Sequence, residues 1–144
     1  MGNKFSDNNT GRSTLTSRRR LYADLPLAFN IHPNTQDLTV LSDIDAVKQS
    51  VKNLVLTNFT ERPFQPRIGG NITALLFEPA DHFTEIVIKD EIISVLEEHE
   101  PRVNGIFVEV IDESDTNSYR VSIQFNVIFS DQREETNFYL ERTR

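Results

Sequence analysis

At 144 residues, with a net charge of −7 and no cysteine, the chain is long enough to bury one real core. Disulfides, thiol nucleophiles and cysteine-ligated zinc are excluded. No run reaches the ~18 consecutive apolar residues of a membrane helix and no apolar signal core opens the chain, so neither a membrane nor signal-directed secretion is expected.

Charge divides the chain. Residues 1–20 carry Lys4, Arg12, Arg18, Arg19 and Arg20 against Asp7, a net +4 that leaves −11 on the rest. We read 1–20 as a flexible basic tail, too poor in apolar residues to fold alone. A body this acidic argues against a nucleic-acid surface, which needs a concentrated basic face. A nucleic-acid binder would have to work through the tail and lose salt-sensitive binding when it is deleted.

Residues 21–41 form an extended lead-in, because Pro26 and Pro33 interrupt its scattered apolar residues and oppose a helix. A folded body, 42–144, follows. Its first helix is expected from about Asp43 to Thr57, capped by Ser42 with Asp45 in the first turn. At helical spacing Ile44, Val47, Val51, Leu54 and Val55 share one face. Pro63 and Pro66 then bracket Phe64 in an extended turn that also carries Arg62, and Gly69 with Gly70 permits a reversal. A short helix should pass through Leu75, Leu76 and Phe77 and stop near Pro79.

A third helix is expected from about Thr84 to His99, with Ile88, Ile92, Val95, Leu96 and His99 on its apolar face. Pro101 disfavours helical geometry at Glu100 and ends it. Beyond it the period becomes two: a strand at 105–111, a long strand at 119–129 and a last strand near 136–142. The sum is α+β, helices packed on one face of a C-terminal antiparallel meander, with an extended N-terminal arm.

Chemistry is sparse. Gly69-Gly70 lacks the Lys-Ser/Thr of a phosphate loop. Three scattered histidines give no ligand spacing, so neither a metal nor another cofactor is expected. His99 reads as a core histidine. Among 22 acidic side chains, pairs such as Glu78 and Glu100 arise by chance, and nothing in the sequence marks either as desolvated. The helix end is more unusual. Glu97, Glu98 and Glu100 crowd a C-terminus whose dipole prefers cations, and Arg102 can offer a planar fork to a carboxylate or to helix-end carbonyls. The last strand, 135–142, suits an exposed sheet edge.

Several blocks recur together: Tyr22-Ala23-Asp24-Leu25 with Phe29, His32-Pro33 and Asp37-Leu38; Asp45 through Thr57; Arg62-Pro63-Phe64 with Pro66 and Gly69; Leu76-Phe77-Glu78; and Glu100-Pro101-Arg102. In this order and spacing they resemble the lysozyme-like baseplate wedge family of contractile-tailed phages, which includes the TssE components of type VI secretion. The resemblance covers roughly 21–142 and gives the basic tail no role. It implies a structural subunit of a virion tail baseplate, assembled in the host cytoplasm, that performs no reaction. It implies docking on the helical core bundle of the wedge through Glu100, Pro101 and Arg102. It implies templating of the first sheath ring by strand addition at Thr136, Phe138 and Leu140, with Arg62, Pro63, Phe64, Pro66 and Gly69 as a structural loop. The partners would be other wedge proteins and the sheath protein, with several copies, six by tail symmetry. The phage-like lead-in favours a virion over a TssE-like role in a secretion apparatus. A peptidoglycan-cleaving glycosidase using Glu78 or Glu100 is the rival of a different class.

Overall fold

The computed structural model describes residues 22–113, 115–130 and 132–142; the basic tail lies outside them. In chain order the elements are β1 (Ala23–Asp24), β2 (Leu41–Ser42), α1 (Ile44–Leu56), α2 (Ile72–Leu75), α3 (His82–His99), β3 (Val103–Glu113), β4 (Ser118–Val127) and β5 (Arg133–Glu141). This is the expected α+β class, with strands β3-β4-β5 forming an antiparallel sheet.

The lead-in is less open than its prolines suggest. Ala23 pairs with Ser42 and Asp24 with Leu41, Ile31 bridges Leu38, and Gln49 Nε2 donates to the Leu25 carbonyl at 2.8 Å. The segment folds back on itself, and its base is tied to the body where Asp43 N–H donates to the Tyr22 carbonyl at 2.9 Å. Ser42 therefore does not cap α1. It is held in the β2 pairing, and Asp43 stands at the helix start with φ +51° and no side-chain capping bond.

Helix α1 buries Val47, Val51, Leu54 and Val55 of the expected apolar face, leaves Ile44 half-buried, and buries Ala46, which was not expected. The chain then loops out and returns: Gly70 N–H donates to the Thr57 carbonyl and Phe59 N–H to the Gly70 carbonyl. Gly69 sits at φ +125°, and a Cβ there would collide with the Thr57 carbonyl oxygen, so the return needs glycine. Arg62, Pro63, Phe64 and Pro66 ride on the exposed part of this loop, closed by Thr60 N–H to the Pro66 carbonyl at 2.9 Å. Phe64 is 96% exposed.

Helix α3 starts two residues before the expected Thr84, because Asp81 Oδ1 accepts from Thr84 N–H at 2.8 Å and caps the extra turn. Its buried residues Ile88, Ile92, Val95 and Leu96 meet Tyr119, Val121, Ile123, Phe125 and Val127 of β4, each almost fully buried. Strand β3 begins two residues before the expected Gly105, which takes φ +59° at a register shift between Asn104 and Phe107. That bulge bends the strand where it leaves α3.

Candidate functional site

The helix end bears the most constrained polar cluster. Glu100 follows the last turn of α3, its N–H still bonded to the Leu96 carbonyl at 2.9 Å, and Pro101 turns the chain into β3. The Glu100 side chain is directed inward, leaving the residue 2% exposed. Arg102 closes on it with a two-pronged grip, Nε to Oε1 at 2.5 Å and Nη2 to Oε2 at 2.6 Å, and Ser50 Oγ of α1 donates to Oε2 at 2.6 Å. Burial works to raise the Glu100 carboxyl, but the Arg102 and Ser50 hydrogen bonds and the Arg102 charge prevail and hold it below its ordinary value. The same hydrogen bond outweighs burial at Arg102 and raises its guanidinium.

The cluster reaches into the lead-in. The Arg102 guanidinium lies 5.2 Å from the Tyr22 ring centroid, and Tyr22 packs against Phe129 with centroids 5.1 Å apart. A cavity of about 330 Å³ opens beside it, lined by Asp24, Asn53, Arg62, His99, Pro101 and Arg102 among others. Residues 40 positions apart in sequence thus share one groove. Pro101 is exposed and Arg102 half-buried at its lip, so they can meet a partner while Glu100 braces Arg102 from within.

Two sequence readings change here. His99 is half-buried at the groove, and the residue that enters the interior is Glu100. Pro101 breaks the helical phase, so Glu100 no longer follows the helical wheel. Glu100 is therefore desolvated after all, but as a paired carboxylate. Ser50 and Tyr22, which complete the cluster, were missed, and no local signal marks either.

The sheet has two free edges with different protection. On β3, Asp112 N–H donates to Glu85 Oε1 of α3 at 3.2 Å, Lys89 lies over Phe107, and the Gly105 bulge disturbs the ladder. These are devices that shield an edge. That Asp112 bond also sets the phase of the ladder. Asp112 directs its main chain away from β4, so Tyr119 opposite it faces β5 and pairs with Leu140; Arg142 N–H reaches the Asn117 carbonyl in the same phase. The outward N–H and C=O groups of β5 belong to Glu135, Asn137, Tyr139 and Glu141. Among the described residues none of these groups has a hydrogen-bond partner.

Thr136, Phe138 and Leu140, expected to carry strand addition, lie on the opposite phase. Phe138 and Leu140 are buried, Thr136 is half-buried, and their main chain faces β4. The pleat that makes them apolar also turns them inward.

The chain thus sets a helical layer on a three-stranded sheet with one unshielded edge, and an arginine-locked carboxylate at a helix end. The chain belongs to the family of baseplate wedge protein gp25, whose family model matches residues 41–132. It is 28% identical over 109 residues to baseplate wedge protein gp25 of Enterobacteria phage T4, covering 76% of this chain and 82% of that protein. Two solved structures share the fold. One is a Geobacter sulfurreducens protein named a tail lysozyme, at 21% identity and TM-score 0.67, covering 74% of this chain and 97% of that one. The other is a chain of the anti-feeding prophage baseplate, at 16% identity and TM-score 0.53, covering 85% and 87%.

Proposed function

We propose that this chain is a structural subunit of the virion tail baseplate that joins the wedge core bundle through the groove around Pro101 and Arg102 and receives strands of the sheath protein on β5. Each baseplate holds six copies, following tail symmetry. The observation that carries the sheath role is the open edge of β5 on a chain of the gp25 family. Unpaired outward amides and carbonyls are a template that an extended segment completes with main-chain hydrogen bonds. For the docking role, the inward lock of Glu100 presets the Arg102 side chain, which reduces the ordering cost of binding.

The chain performs no reaction. A glycosidase needs a carboxyl whose pKa is raised so that it can donate a proton. Glu100 is held in the opposite direction and enclosed by Arg102 and Ser50, and Glu78 is exposed.

The test of the sheath role is Asn137→Pro, which removes one outward N–H and none of the ladder to β4. Baseplates containing the folded variant should form and remain unsheathed. Normal sheaths on such baseplates would remove β5 as the template.

A further inference from the structure

Beside the open edge of β5 lies a cavity of about 340 Å³, between the C-terminal end of α1, α2 and the strand. Its apolar wall is Val55, Leu56, Ile72, Leu76 and Leu140. Four of these are buried, whereas Leu56 is 46% exposed at the lip. The cavity lies on the helix-covered side of the sheet, next to Tyr139 and Glu141, whose outward main-chain groups are unpaired among the described residues. A strand laid on β5 sends alternate side chains to the two faces of the sheet, so its inner-face side chain beside Leu140 would meet this cavity.

We infer that the cavity is a side-chain receptor that selects which strand β5 accepts: an extended segment of another protein with a large apolar side chain on its inner face beside Leu140 and Lys or Arg on its outer face. This rests on the strand-addition reading above and adds its specificity. The occupant must be extended, because only an extended chain satisfies the outward groups of Glu135, Asn137, Tyr139 and Glu141 in series. The side chain that enters along Val55, Leu56, Ile72, Leu76 and Leu140 is apolar, because a polar group against that wall would lose water, while Thr73, Tyr139 and Glu141 line the rest. The occupant's outer face is set by charge. Glu135 and Glu141 stand exposed on the solvent face of β5, with Arg133 at the start of the strand, and opposite charges across a strand pair attract while like charges repel. Basic side chains opposite Glu135 and Glu141 complete the outer row; a second copy of β5, which when antiparallel could set Arg133 against Glu141, is the competing occupant, and dimerisation of the isolated protein through β5 would contradict the proposal.

Leu56 is the place to test it, because it is exposed and does not belong to the buried core. Tails assembled with Leu56→Lys should carry sheaths at least about tenfold less often, and Leu56→Met should keep wild-type levels. Lysine suits the C-terminal end of a helix, so the folded state is retained. Thr73→Arg, where α2 lines the cavity, should reproduce the loss. Normal sheath formation with both cationic variants would overturn the receptor. If Asn137→Pro blocks sheaths while these two do not, the edge reading stands and the receptor falls. If Asn137→Pro also forms sheaths, the edge reading itself has failed.

Discussion

At the scale of single residues, the Glu100–Arg102 pair holds a 2% exposed carboxylate against a guanidinium and is informative to disturb. Removing one partner of a buried ion pair leaves the other charge without compensation, at about 3 kcal/mol. Arg102→Ala should lose about that much in denaturant unfolding at neutral pH. The pH dependence has a definite sign. The folded-state pKa of Glu100 is depressed, so its contribution is fully present above the ordinary value of 4.5 and disappears as pH falls through the lower folded value. The gap between wild type and Arg102→Ala should therefore narrow on acidification below 4.5, since a protonated Glu100 no longer needs the cation. A constant gap would mean that Arg102 acts by packing alone. Tyr119 is the converse case. It is fully buried, its hydroxyl has no hydrogen-bond partner among the described residues, and burial chiefly raises its pKa. Tyr119→Phe should leave stability unchanged or raise it by up to about 1 kcal/mol; a loss above that would show a bonded hydroxyl.

Among the elements, the phase of β5 separates what holds the sheet together from what it offers. Asn137 directs its N–H outward, so Asn137→Pro should cost only about 1 kcal/mol, as prolines on the free side of edge strands do. Phe138 directs its N–H to β4, and Phe138→Pro should cost about 3 kcal/mol or more. Equal losses in thermal unfolding would contradict the phase assignment. The elements were largely legible, because long amphipathic patterns dictate them: the valine face of α1 and the unbroken alternation of β4 both appear as read. The inward phase of Phe138 and Leu140 was legible too, since they alternate with Glu135, Asn137, Tyr139 and Glu141. Thr136, Phe138 and Leu140 were expected to carry strand addition; their main chain faces β4, and the outward main chain belongs to the polar set between them. The Ser42 cap failed because a pairing with Ala23, nineteen residues earlier, outcompeted a local preference.

For the whole molecule, what remained hidden was long-range. Glu100 is buried because Ser50, fifty residues earlier, and Arg102 meet it, and the groove exists because the loop bearing Arg62 returns to the end of α3. No periodicity encodes such meetings. The two surfaces so produced are of opposite kinds. The helix-end groove is polar and braced from within, suited to fixing the subunit in a wedge. The β5 edge has main chain unpaired among the described residues, beside a cavity with one apolar wall, suited to accepting another chain. The most direct measurement is a cryo-EM map of the baseplate with its first sheath ring. The account predicts a fourth strand from the sheath protein alongside Glu135–Glu141. A sheath contact made elsewhere, with the outward edge of β5 facing water, would contradict it.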